Sequence, residues 1–156
     1  MKYLSITSLT ALFLLFAVSC EKDEDDDDNN SSSSVGTIQS VSSTVESGDW
    51  SITRFEDSGV DELYHFTGYT FTFGTNGTIT AAGDTTYTGT WSVTDDSSND
   101  DSPDDDLDFN INFNLTNEFE ELNDDWDIVS NSANKIELKD VSGGDGSTDY
   151  LTFEKN

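Results

Sequence analysis

The sequence predicts an all-β fold, an antiparallel up-and-down barrel of about eight strands, on three observations. From about Gly48 onward, short runs of alternating apolar and polar residues recur between turn residues, the pattern of antiparallel strands with one buried face. Aromatic residues make up 12% of the chain while hydrophobic residues together reach 33%, so the apolar material is concentrated in large rings that a disordered chain would lack. The links between runs are of hairpin length. Strands that are wet on one face must hide the other against a second layer or by closing on themselves, and closure removes the edges. Sequential hairpins favour the barrel; a β-sandwich is the alternative.

Each run has its own justification. In "GDWSITRF" Trp50 and Ile52 share a face, and in "GYTFTF" Tyr69, Phe71 and Phe73 do. "GTNG" supplies a hairpin turn into Thr78-Ile79-Thr80, with Gly and Asn expected to take positive φ. In "TTYTGTWSVT" Tyr87, Gly89, Trp91 and Val93 alternate with Thr and Ser. The clearest run is "LDFNINFNL": Leu107, Phe109, Ile111, Phe113 and Leu115 face one way and Asp108, Asn110, Asn112 and Asn114 the other, so a one-residue slip would bury four polar side chains. "DWDIVS", "KIELKD" and "DYLTFEK" repeat the pattern with Trp126 and Ile128, Ile136 and Leu138, and Leu151 and Phe153. Helix is sparse. Ile38, Val41 and Val45 have helical spacing among mediocre helix formers, which predicts a short helix, and Asn117 with Glu120 resembles a capping box sufficient for one turn.

Ahead of these strands the chain changes character twice. Lys2 followed by an uncharged apolar run through Val18 has the form of a secretory signal peptide, too short and too acidic on its far flank for a spanning helix. Ala17-Val18-Ser19-Cys20 resembles a bacterial lipobox, although position 17 holds Ala where Leu is preferred. The resemblance implies acylation of Cys20, the single cysteine of the chain, and more than one acyl chain makes anchoring to a lipid bilayer stable. Residues 21–28, "EKDEDDDD", resemble the acidic export tag that follows the acylated cysteine in surface lipoproteins of Bacteroidota. The same residues also make a self-repelling spacer, and a tether of some fourteen residues would reach roughly 45 to 50 Å when stretched. The expected organisation is therefore a lipoprotein signal peptide over 1–19, an acylated cysteine with a disordered acidic and serine-rich tether over 20–34, and a barrel domain over 35–156. That places the protein at the outer membrane, lipid-anchored and exposed at the cell surface.

The strand motifs carry a second resemblance. Gly48-Asp49-Trp50 matches the Gly-x-Trp signature of lipocalins and Thr148-Asp149-Tyr150 their Thr-Asp-Tyr element. With "GYTFTFGTNGTI", "GTWSV" and "KIEL", the chain from about Gly48 to Lys155 is similar to the lipocalin-like domains of Bacteroidota lipoproteins. The arginine that lipocalins pack across the first Trp has no evident counterpart, and no terminal helix follows the last strand run.

What such a barrel would do follows from its interior. An eight-stranded barrel is just wide enough to be filled by side chains or to hold one small ligand. A mostly filled core is the favoured expectation. The leading functional expectation is still a binding module for a small apolar ligand or envelope component, with a pocket lined by Trp50, Phe71, Trp91, Phe109, Phe113 and Trp126 and with Gly89 and Ala81 as points of entry; the alternative is a structural or interaction lipoprotein with a filled barrel and no small-molecule ligand. The partner is then a small apolar ligand or, for a filled barrel, an envelope protein. With 33 acids, 6 bases and a net charge of -27, the chain is unsuited to nucleic acid. The loop "TDDSSNDDSPDDDLD", with Asp104, Asp105 and Asp106 at its centre, is dense in the hard oxygens calcium takes, but it has no EF-hand spacing and no glycine, so a solvated loop is the stronger expectation. "GGDGSTD" is expected as a hairpin turn, since a single calcium-binding nonapeptide repeat has nothing to stack on. His65 has no second histidine to complete a metal site, and no Gly-x-Ser-x-Gly elbow or Ser–acid spacing around it points to hydrolysis. Neither catalysis nor a cofactor is expected.

Overall fold

Alternation along each run translates into hydrogen-bond register. The computed structural model describes residues 31–95, 107–141 and 146–156. Its elements are helix α1 (Ser31–Val45), strands β1 (Asp49–Asp57) and β2 (Val60–Asp61), a 3-10 turn (Leu63–His65), β3 (Thr70–Phe73), β4 (Thr78–Ala82), β5 (Thr86–Asp95), β6 (Leu107–Asn112), a second 3-10 turn (Glu118–Leu122), β7 (Asp124–Ser132), β8 (Lys135–Val141) and β9 (Thr148–Lys155). Every pairing is antiparallel, neighbours in sequence are neighbours in the sheet from β3 to β9, and β1 pairs with both β3 and β9. Eight strands thus close an up-and-down barrel, as the hairpin-length links require, and the sandwich is excluded. The additional β2 only extends the tip of β1, pairing with Glu56 and Asp57.

β6 shows how the pattern sets the register. Phe109 and Ile111 are buried while Asn110 and Asn112 face outward, and Phe109 sits opposite Val93 on β5 and Trp126 on β7. Beyond Asn112 the alternation continues without a strand partner. There the Asn123 side chain takes the partner's role, its Oδ1 accepting from the Phe113 N–H and its Nδ2 donating to the Phe113 carbonyl at 3.0 Å. Two bulges break the alternation. Between Ile52 and Arg54 the register against β9 shifts, so Trp50, Ile52 and Phe55 all point inward and Thr53 and Arg54 both point outward. A second shift, between Ile128 and Ser130, turns the extra residue Val129 out to solvent.

Three local expectations are revised. Helix α1 is longer than the short helix expected and reaches back to Ser31, within the stretch assigned to the tether; Val41 and Val45 dock on the barrel, and packing of this kind outweighs weak propensity. In the β3–β4 turn only Gly77 has positive φ (76°), while Asn76 acts through its side chain, Oδ1 accepting from the Thr78 N–H at 3.2 Å. Asn117 caps the second 3-10 turn through the Phe119 N–H, at 3.3 Å, rather than through the residue a capping box uses. Among the described residues no helix is long and apolar enough to cross a membrane.

Candidate functional site

The six rings expected to line a pocket come together inside the barrel as part of one buried core, and all but Trp50 meet other core rings. Trp50, Phe71, Trp91, Phe109, Phe113 and Trp126 are between 0% and 6% exposed, so none presents a face to a solvent-filled lumen. Trp91 stacks on Phe109 at 5.8 Å, Phe73 meets both edge-on, and Phe153 packs against Phe71 and Phe73 at 5.4 Å. Edge-to-face pairs at these separations are favourable beyond the area they bury.

The polar edge of each indole closes the barrel. Trp50 Nε1 donates to the Val45 carbonyl at the end of α1 (2.8 Å), Trp91 Nε1 to the Gly74 carbonyl in the β3–β4 turn (3.0 Å), and Trp126 Nε1 to the Leu122 carbonyl in the second 3-10 turn (3.1 Å). Each donor is satisfied by a segment that lies across an end of the barrel. Phe119, at the centre of the second turn, touches Phe66, Tyr69, Phe71, Tyr87 and Phe113. Its role escapes a sequence reading because "NEFEEL" shows one ring among acids, with no period to mark it as core.

The expected points of entry are blocked. Ala81 is fully buried, and a Cβ on Gly89 would lie 2.4 Å from the Asn112 carbonyl oxygen and 2.9 Å from the Phe113 ring. Gly89 is small so that β6 and Phe113 can close over it, not to leave an opening.

A cation does lie across the first tryptophan, against expectation. Lys155 Nζ sits 5.0 Å from the centre of the Trp50 ring and donates to Ser47 Oγ at 2.8 Å; that hydroxyl in turn donates to the Thr44 carbonyl in the last turn of α1. The lysine therefore serves both the ring face and the negative end of the helix. Its stem also runs along Gly48, where an added Cβ would meet it at 3.1 Å. Lys155 is missed when an arginine is sought, but its register is legible: Trp50 and Lys155 are directly paired on β1 and β9. The other matched motif is also engaged. Asp149 Oδ1 accepts the N–H of Ser58, whose φ is 49°, at 2.7 Å, and Arg54 lies 4.0 Å over the Tyr150 ring.

The surface offers a cleft where the barrel is least tightly sewn. β1 pairs with β3 only at Asp49–Thr72 and Trp50–Phe71, and then diverges. The opening, about 570 Å³, is lined by Ile52, Leu63, Phe66 and Tyr69 together with Ser51, Thr53 and Thr67. A second hollow of about 380 Å³ runs along the outer faces of β5 and β6 past Ser92, Asn110 and Asp124.

Acids gather at the rim beside the 3-10 turns. His65 Nε2 is 4.0 Å from Glu62 Oε2, and ligand atoms of Glu62, His65 and Glu121 all lie within 4.8 Å of one another. Burial, and then the charge of Glu62, hold the Glu121 carboxyl above its usual range. Asp124 is pushed up to about 6, first by burial and then by a hydrogen bond between its carboxyl and that of Asp125. Cys20, the residues 104–106 of the aspartate loop, and most of the glycine-rich β8–β9 link lie outside the described residues; the strands flanking that link do pair as a hairpin, Val141 opposite Thr148.

No protein-family model matches the chain, and no curated protein matches it. Among solved structures it is similar to a DUF4847 family protein from Bacteroides vulgatus ATCC 8482, with 22% identity, a TM-score of 0.47, and coverage of 74% of this chain and 97% of that one.

Proposed function

We propose that this protein is a lipid-anchored envelope lipoprotein, held by acyl chains on Cys20 and presenting a lipocalin-like barrel as a contact module for another envelope component. The single observation that supports a contact module over a carrier is the ring-filled interior, in which the six candidate lining residues are buried among core side chains. The lipocalin-like reading draws on Lys155 lying across Trp50, where lipocalins place arginine, and on Asp149 and Tyr150 both being engaged in contacts with β1 and its turn. The anchor reading draws on the leader, the lipobox and the acidic residues after Cys20. A second reading, binding of a small apolar ligand, is favoured by the seam cleft between β1 and β3 rather than by the lumen.

One experiment tests anchor and interior together. Intact cells are treated with protease, the membrane-held protein is analysed by mass spectrometry, and the folded protein is titrated with an apolar dye. The expected outcome is loss of the barrel from intact cells, diacylglycerol on Cys20, and no dye uptake. An unmodified chain in the medium discards the anchor. Dye uptake that lipids reverse and that survives Leu63→Asp discards the filled interior, whereas uptake lost on Leu63→Asp places the ligand in the seam and leaves the interior filled.

A further inference from the structure

We propose that Glu62, His65 and Glu121 form a site for a borderline-soft divalent cation of the zinc class, which staples the first 3-10 turn to the second across the mouth of the barrel. The inference is independent of acylation and of what the barrel contacts.

Two of the ligands are aligned by local geometry. Glu62 precedes the turn and His65 ends it, and the His65 N–H donates to the Glu62 carbonyl at 3.1 Å. Side chains three residues apart on a 3-10 turn eclipse one another, so carboxylate and imidazole point the same way. The Tyr64 ring lies 4.0 Å from the imidazole and limits its rotation. The third ligand comes from a segment far away in sequence. Phe66 and Phe119 meet edge-on at 5.5 Å and hold the two turns together from inside, which brings Glu121 over Glu62 on the outside.

Small side-chain movements bring the three ligands onto one ion. Zinc takes imidazole nitrogen and carboxylate oxygen at about 2.0 to 2.2 Å in a tetrahedral arrangement, so two of its ligands stand roughly 3.3 to 3.6 Å apart. The Glu62–His65 separation of 4.0 Å must close by about half an ångström, and the exposed Glu121 by no more than about 1.5 Å from the 4.8 Å envelope, both within reach of side-chain rotation. An imidazole with two carboxylates suits a transition ion with water in its remaining positions. Calcium, which takes six to eight oxygens, would be poorly served. The site also places a cation between two carboxylates that otherwise face each other.

The chain has one histidine, so its ring resonances are an unambiguous reporter. The experiment titrates zinc into the full chain in detergent, on a Cys20→Ser background that removes the competing thiol, and follows the imidazole Nε2 signal by NMR. The expected result is a shift that saturates at one equivalent and that calcium does not produce. Glu62→Gln and Glu121→Gln should each weaken it at least about tenfold, since even the outer partners of metal ligands cost that much. Zinc should also raise the melting temperature of the parent and not of His65→Gln. An imidazole signal unmoved by saturating zinc overturns the proposal, and so does a midpoint unchanged in both Gln variants, because the ion would then sit on the chain's other acids. All three substitutions are at the rim, and the ring resonances of Trp50 and Trp91 report that the barrel remains folded.

Discussion

The two ends of the barrel are both shut, by different chemistry. Where β1 begins, helix α1 lays Val41 and Val45 over the opening, and Lys155 supplies a positive charge to the Trp50 face and to the end of the helix. At the other end, two short 3-10 turns cover the rings with Phe66, Phe119 and Leu122, and acids collect on the rim: Glu62 and Glu121 on one side, Asp124, Asp125 and Asp140 on the other. The contrast separates two jobs that are easily merged. Apolar closure is achieved at either end by burying side chains and satisfying an indole N–H with a lid carbonyl. Charge, in contrast, is arranged differently: at the helix end Lys155 meets the Trp50 face and the Ser47 hydroxyl, whereas at the turn end carboxylates face one another around His65. The turn end is where a cation or a change of pH has something to act on.

Packing should show the largest difference between them. Phe119 touches five other rings, and Phe119→Ala is expected to cost about 3 to 5 kcal/mol, the range for emptying a buried aromatic site. Val45→Ala removes fewer buried carbons from the opposite lid and should cost about 2 kcal/mol. Urea unfolding of both variants measures the comparison. Equal costs would mean that the helix is as much a part of the core as the turn, and that the ends differ only in charge.

The barrel was legible in the sequence because period-two alternation is a property of single strands, and most strands here display it, broken mainly at bulges. Phe109 and Ile111 identify the inner face of β6 unaided, and adjacent runs could only close by pairing in order. The lids were legible only in part. The helix with Val41 and Val45 and the turn after Asn117 were expected as elements, but not their place across the ends of the barrel, and nothing in "NEFEEL" or "ELYHFT" marks Phe119 or Phe66 as core, since what buries them is rings from elsewhere in the chain. Lys155 was hidden by the wrong query, for an arginine, and Glu121 by distance, since nothing near His65 announces a carboxylate from another turn. Gly89 was read with the right residue and the wrong sense: a gap in the side-chain pattern marks a close backbone approach as readily as an opening.

Asp124 tests the crowding of acids at the turn end. Its folded carboxyl is pushed up to about 6 from a reference of 3.8, first by burial and then by a hydrogen bond between its carboxyl and that of Asp125, with the charges of Asp140 and Asp125 adding to the effect and the Asp125 N–H opposing it. The folded protein therefore binds this proton more tightly than the unfolded chain does. Stability falls as pH rises from about 4 to about 6 and stays reduced above that. Asp124→Asn retains an oxygen to accept the Asp125 N–H, now held at 2.9 Å, while removing the buried charge. It should raise stability at pH 7 by on the order of 1 kcal/mol once solvent screening is allowed for, with no gain at pH 4. Urea midpoints at the two pH values check this. A gain of equal size at both would assign the effect to packing.

Lys155 gives the smallest expected effect and the sharpest test of the helix end. Lys155→Met keeps most of the stem along Gly48 but removes the ammonium from the Trp50 face and from Ser47 Oγ, which should cost about 0.5 to 1 kcal/mol, the range for a partly exposed cation over an indole. Lys155→Arg should cost only a few tenths, because a guanidinium can lie flat on the same ring and still donate toward the helix end. Added salt discriminates further. If the lysine acts by its charge, the gap between parent and Met variant narrows as the Debye length shrinks from about 10 Å at 0.1 M to about 3 Å at 1 M. A gap that ignores salt would make Lys155 a packing residue, and the contrast between an end tied by a lysine and an end crowded with acids would reduce to the acids alone.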